Sequence, residues 1–341
     1  MKKILAVSTA VLILAGFMTA GVVKSTKSQI TFKGFGTFTT VTNDKITAER
    51  KLANSKNDFK GKGLLGGLAG KTILRSGEYI HITDLPALMI YQIDPKKKEY
   101  TATPIEKVKM EKGEGKETPE EKAPPKNTLK ITRSEFKVED TGESKDINQF
   151  ACKKYLVHWL VEWENTETGE KGTNSLESIV WTTPYTGDIK AAQDEEFAFS
   201  REYLKKIDLN IDQVQKDVLG TEWLSLLGSM NPADGGKSSL SPKGNQVAQE
   251  MKKIQGYPIV TDGKYFVTGT AKAQGSKDEE SGGGGISGAL GKFASKALKK
   301  KPNPEEEKAP ALAFYTEVTG ISVAGIDAVE FQVPAGYKKK G

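Results

Sequence analysis

Residues 152–164 constrain the fold more than any other stretch. Tyr155, Val157, Trp159, Val161 and Trp163 fall at every second position, with His158, Leu160 and Glu162 between them. A period of two places the first set on one face of a strand and the second set on the other. A polar stretch over 165–172 follows. Leu176, Ile179, Val180 and Trp181 then return as a partner strand over 176–183. Two long strands joined by a polar turn predict an antiparallel β-hairpin.

The same test finds further strands. Ile30, Phe32, Phe38 and Val41 mark a strand rich in Phe and Thr over 29–42, and Ile73, Tyr79 and Ile80 mark another over 72–82. Residues 88–103 read as a second hairpin that turns at Asp94 and Pro95. Leu129, Ile131, Phe136 and Val138 alternate with charged residues over 129–138. The period then changes. Phe197, Phe199, Tyr203, Leu204 and Ile207 lie in a helical pattern over 191–209, acids early and lysines late, as a helix dipole favours. Val214, Val218, Leu219, Trp223, Leu226, Leu227 and Met230 extend a second helix that Asn231 and Pro232 end, and 246–254 forms a short third. Strand character returns at 257–271, 312–323 and 329–333. Strands, then helices, then strands is not the alternation of a doubly wound fold. It predicts one α+β domain over 21–341.

Two flexible insertions interrupt that domain. Residues 109–126 are Glu, Lys and Pro with almost nothing to bury. Residues 274–310 open on four glycines, 282–285, and close on Pro302, Pro304 and Pro310. Between them Ile286, Leu290, Phe293 and Ala297 share one helical face, while Lys292, Lys296, Lys299 and Lys300 gather on the other. A basic amphipathic helix on a glycine tether can lie on an anionic membrane surface, pack on the protein's own surface, or stay unfolded. The Gly- and Leu-rich segment 63–70 has similar character and reads as a loop or lip near the same opening.

The first residues give the location. Lys2 and Lys3 precede an uncharged run over 4–18, and Met18, Thr19 and Ala20 offer small residues near a cleavage point. That is the pattern of a Sec-type signal peptide over 1–20, cleaved or retained as an anchor. A membrane span needs ~20 apolar residues, and the run is shorter. The chain is therefore expected to be exported, to the periplasm or cell surface. No cysteine near the cleavage point can carry a lipid.

Charge and cysteine usage narrow the partners. The net charge is +6, from 50 basic and 44 acidic residues that are interleaved along the chain. No block reads as a nucleic-acid arm. Cys152 is the one cysteine, so no internal disulfide forms, and its bland role is a small buried hydrophobe.

Catalytic and metal motifs are poorly supplied. The segment 66–72 resembles a phosphate loop ending Gly70, Lys71, Thr72, but Leu65 stands where the motif needs its first glycine. Only His81 and His158 could serve as bases. Cys152 and His158 are six residues apart on one strand, ~20 Å, too far for a dyad. There is no short-spaced Cys or His pair for a transition metal and no calcium-loop spacing. No cofactor and no catalytic residue is expected.

The aromatics are the remaining signal. Trp159, Trp163 and Trp181 sit on the paired strands, Trp223 on a helix, and Phe197 and Tyr203 on the helical face. These six fit the wall of an apolar cavity for an acyl chain, or an ordinary filled core.

Several stretches resemble the DUF4412 family of exported bacterial proteins. They are 88–101 with its Asp94–Tyr100 hairpin, 151–157 around Cys152, 180–183 around Trp181, 317–322, and 329–337. The family is similar in outline to lipoprotein carriers of the LolA and LolB type. The resemblance implies a strongly curved antiparallel sheet, an incomplete β-barrel closed by helices, and a lipid- or lipoprotein-handling role. It brings no catalytic residues. The leading expectation is a non-enzymatic carrier whose apolar half-barrel cavity holds a lipid-like or lipoprotein acyl ligand, with peripheral membrane contact through Ile286, Leu290, Phe293, Lys292, Lys296 and Lys299. The alternatives are a structural or interaction protein of the envelope with a filled core, and an exported hydrolase that depends on His81 or His158.

Overall fold

The computed structural model describes residues 18–62, 76–107, 129–208, 244–269 and 309–340. One sheet of twelve strands dominates them. The strands are β1 (Met18–Phe32), β2 (Gly36–Ile46), β3 (Arg50–Gly61), β4 (Gly77–Asp84), β5 (Met89–Asp94), β6 (Glu99–Pro104), β7 (Leu129–Ile147), β8 (Phe150–Asn165), β9 (Lys171–Thr183), β10 (Tyr257–Thr268), β11 (Leu312–Asp327) and β12 (Lys338–Lys339). Helices α1 (Gly187–Lys206) and α2 (Gly244–Met251) fall between β9 and β10. The spatial order is β12-β6-β5-β4-β3-β2-β1-β11-β10-β9-β8-β7. Every neighbouring pair is antiparallel except β12 with β6. The chain thus forms two meanders joined where β1 meets β11. The sheet is open, and β7 and β12 are its ends. An α+β fold with antiparallel hairpins is what the alternation predicted, and an unclosed antiparallel sheet is what the family resemblance implied.

The hairpin of β8 and β9 is present, with Trp159 opposite Leu176 and Trp163 opposite Gly172. Two local expectations are corrected. Residues 29–42 are two strands, because Lys33, Gly34 and Phe35 form a tight turn: Gly34 has φ +72° and the Phe35 amide donates to the Phe32 carbonyl. Residues 329–333 are not a strand. Asp327 accepts a hydrogen bond from the Val329 amide and caps a 3-10 helix, Ala328–Phe331. Met18, Thr19 and Ala20 belong to β1 and face Asp327, Ile326 and Gly325. The helical pattern over 214–230, with Trp223, lies outside the described residues. So do 109–126, 63–70, and Ile286, Leu290, Lys292, Phe293, Lys296 and Lys299.

Register shows how side chains share the two faces. Phe32, Leu312, Tyr265, Leu176, Trp159 and Phe136 form one row across six strands. Over β7 to β10 this face is a core: Val157, Val161 and Leu176 are fully buried, and α2 covers them with Val247 and Met251. Over β3 to β6 the opposite face is the buried one. Leu52, Ile82 and Tyr91 share a row there, next to Ile80, Ile93 and Tyr100. Phe331, Val333 and Tyr337 of the C-terminal segment pack over them. The Lys338 and Lys340 amides tie that segment to the carbonyls of Lys98 and Tyr100.

Candidate functional site

Trp159 and Trp163 lie in the core under α2. The Trp159 ring stacks on Tyr265, with centroids 6.2 Å apart and planes 16° from parallel. Trp163 covers Gly172: a Cβ on that glycine would meet the indole at 2.1 Å, so the strand pair needs a bare backbone there. Gly263 receives the Phe314 ring in the same way. The Trp163 indole N–H points at Asn174 Oδ1, 3.4 Å away, while the buried Trp159 N–H has no acceptor among the described residues.

Trp181 is not with them. It pairs with Lys154 across the hairpin and so occupies the opposite face. Lys145 Nζ lies 4.2 Å above its ring centroid and Lys154 Nζ 5.9 Å. Ile147, Ile179, Val260 and Tyr315 continue this patch as a shallow groove of about 330 Å³. Lys154 is held by Glu143 at 2.9 Å.

Helix α1 lies against β11, β1 and β2. It buries Ile189 and Ala192 against the sheet. Phe197 is exposed, and Phe199 stacks on Tyr203 along the helix. The contact that fixes α1 is polar. Glu196 pairs with Lys24 of β1, and Tyr257 of β10 stands 3.5 Å from Glu196 and 3.4 Å from Lys24. Asp44 faces Lys24 across β1 and β2 and is buried, with Oδ1 lacking a partner among the described residues. Burial pulls the Lys24 ammonium down, but Glu196, Tyr257 and Asp44 together hold it well above the usual lysine range. Burial pushes Asp44 up, against the pull of Lys51 and Lys24. Burial and Glu196 push the Tyr257 phenol up to about 12. A protonated lysine clamped between two acids is a structural pin.

A further cavity lies at the end of the sheet where β1 turns into β2. It is a groove of about 400 Å³ lined by Thr31, Phe32, Gly36, Thr37, Ala309 and Pro310, with Lys33, Lys60 and Lys62 on its rim. Phe32 and Phe59 flank Phe35 at 6.4 and 5.7 Å between ring centroids. In the sequence, Lys62 immediately precedes the Gly- and Leu-rich segment, and Ala309 lies near the end of the 274–310 insertion. Both segments lie outside the described residues; the chain leaves the described fold at Lys62 and re-enters it at Ala309, beside this groove. The volume falls within the ~300–1,000 Å³ common for small-ligand sites.

No protein-family model, curated protein or solved structure matches this chain. Among the described residues no three His, Cys, Asp or Glu side chains gather as a metal site. His81 is exposed on β4, where partial desolvation lowers its basicity, and His158 is exposed on β8 opposite Lys137 and Glu177. Cys152 is buried, and burial raises its thiol. No described helix is long and apolar enough to cross a membrane.

The predicted cavity wall is therefore divided. Trp159 and Trp163 share a core, Trp181 faces away from it, and Phe197 and Tyr203 belong to α1. The Phe32 groove and the Lys24 pin were not anticipated. Lys24 and Asp44 had a visible signal, as charged residues at the parity of Val22 and Ile46. The partner Glu196 had none, because only the fold brings α1 to β1.

Proposed function

We propose that this chain is an exported, non-enzymatic envelope protein that handles a lipid-like ligand. Its working end is the groove beside Phe32. The observation that carries this reading is the meeting of an apolar floor and a lysine rim in one groove at the end of the sheet. Aromatic and aliphatic side chains hold an acyl chain at ~25 cal/mol per Å² buried. Lysines meet an anionic head group or membrane surface at ~1 kcal/mol each. The finer fold expectation, a curved incomplete barrel closed by helices as in LolA- and LolB-type carriers, belongs to the same proposal. The unclosed antiparallel sheet with helices on one face supports it.

The test uses the purified full chain with vesicles of phosphatidylcholine, with and without phosphatidylglycerol, and native mass spectrometry for co-purified lipid. Binding should require the anionic lipid or show retained acyl species. Lys33→Glu with Lys60→Glu and Lys62→Glu should weaken it at least ~100-fold with unchanged melting temperature. A chain that carries no lipid and floats with neither vesicle sinks the proposal. That outcome would favour the second reading, an envelope interaction protein, which the filled packing around Trp159 and Trp163 supports.

A further inference from the structure

Strand β7 closes one end of the sheet, and among the described residues no strand pairs with its outer side. Between its two register shifts it runs regularly from Arg133, opposite Glu162, to Asp140, opposite Tyr155. Along that stretch Arg133, Glu135, Lys137 and Glu139 share one exposed face, with strictly alternating sign. Such a strand has a symmetry property. If a second copy pairs antiparallel about a two-fold axis at Phe136, Arg133 meets the other copy's Glu139, and Glu135 meets its Lys137. Four opposite-charge contacts result. Sliding the register by two residues either way sets like charges opposite each other.

The backbone agrees with that register. The Val138 amide points away from β8, since it donates to Glu250 Oε2 at 2.8 Å. Amides of the same parity, those of Ser134 and Phe136, therefore point outward too. With Phe136 on the axis, Phe136 exchanges both hydrogen bonds with its copy, and Ser134 does so with Val138. The charged residues then occupy the non-hydrogen-bonded sites, where side chains approach most closely. Open edges of this length are usually blunted by charge or covered. Here the alternation blunts pairing with other strands yet matches the chain to itself.

Glu250 of α2 is the gate. Its carboxylate occupies the outward Val138 amide and is held on both oxygens by Lys253 at 2.7 and 2.8 Å. The Lys253 contact, with the Val138 amide, keeps its carboxyl below the usual range. Pairing of two β7 edges requires Glu250 to release Val138.

We propose that the outer edge of β7 is a homodimer interface, joined antiparallel about Phe136 and gated by Glu250. Sedimentation equilibrium of the full chain over a concentration series tests this. Glu250→Ala should tighten the dimer about tenfold, the scale of one hydrogen bond to a charged group. Arg133→Glu with Lys137→Glu makes the face wholly acidic and should weaken it at least ~30-fold. Adding Glu135→Lys and Glu139→Lys restores complementarity with every sign inverted, and should restore the dimer. Circular dichroism of each variant checks that the sheet is intact. Strictly monomeric behaviour of both the parent and Glu250→Ala overturns the proposal. So does a dimer indifferent to the acidic pair of substitutions, or one that the four-fold inversion fails to recover.

Discussion

The two halves of the sheet solve the same burial problem on opposite faces. A single row of paired residues shows the change: Tyr155, Val180, Thr261, Thr316, Ser28, Thr40 and Asn57 lie side by side from β8 to β3. On β8 and β9 the row is buried in the core under α2. On β11, β1, β2 and β3 it becomes hydroxyls and amide, with Ser28 near Thr316 at 3.4 Å and Thr40 donating to Asn57 at 3.0 Å. The apolar residues of β3 to β5 sit on the other face, under the C-terminal segment. A strand pattern of period two fixes that one face is buried. Which face that is depends on what the chain lays against it.

Three substitutions separate the halves. Trp159→Ala should have the largest effect, a loss of about 4 kcal/mol in denaturant unfolding, because it empties the centre of the α2-covered core. A loss under about 1 kcal/mol would mean that this half is loosely packed. Phe331→Ala should cost about 3 kcal/mol, but locally. It should free the C-terminal segment, so hydrogen exchange speeds up at the Lys338 and Lys340 amides while the Trp159 region stays protected. Uniform loss of protection would show the two cores to be one cooperative unit.

The smallest effect belongs to the polar seam. Burial raises the Asp44 carboxyl, so the folded state binds that proton more tightly than the unfolded state. Its contribution is therefore most favourable at low pH and declines as pH rises from the ordinary carboxylate value through the raised one. Asp44→Asn should flatten this decline in melting temperature as pH rises above the ordinary carboxylate value. An unchanged slope would assign the pH dependence to another group.

Much of the strand layout was legible because a half-buried strand writes its period into the chain. The hairpins of β5 with β6 and β8 with β9 follow from local alternation and turn residues. The turn at Gly34 was missed because Phe and Thr continue on both sides of it. The 3-10 helix at Ala328–Phe331 was missed because a capping Asp327 outweighs an apolar run of strand type. The tryptophans were correctly expected to be interior for Trp159 and Trp163, both 2% exposed or less. The lysine-rimmed groove was not legible, since Lys33, Lys60 and Ala309 are distant in sequence.

The sequence alone determined the α+β class and its antiparallel hairpins, since alternation and turn chemistry act over a few residues. Only the tertiary structure decided which face each half buries, that Trp181 parts from Trp159, and that Lys24 meets Glu196. Those depend on long-range pairing of β1 with β11 and on where α1, α2 and the C-terminal segment dock. Local residue patterns carry no information about partners hundreds of positions away.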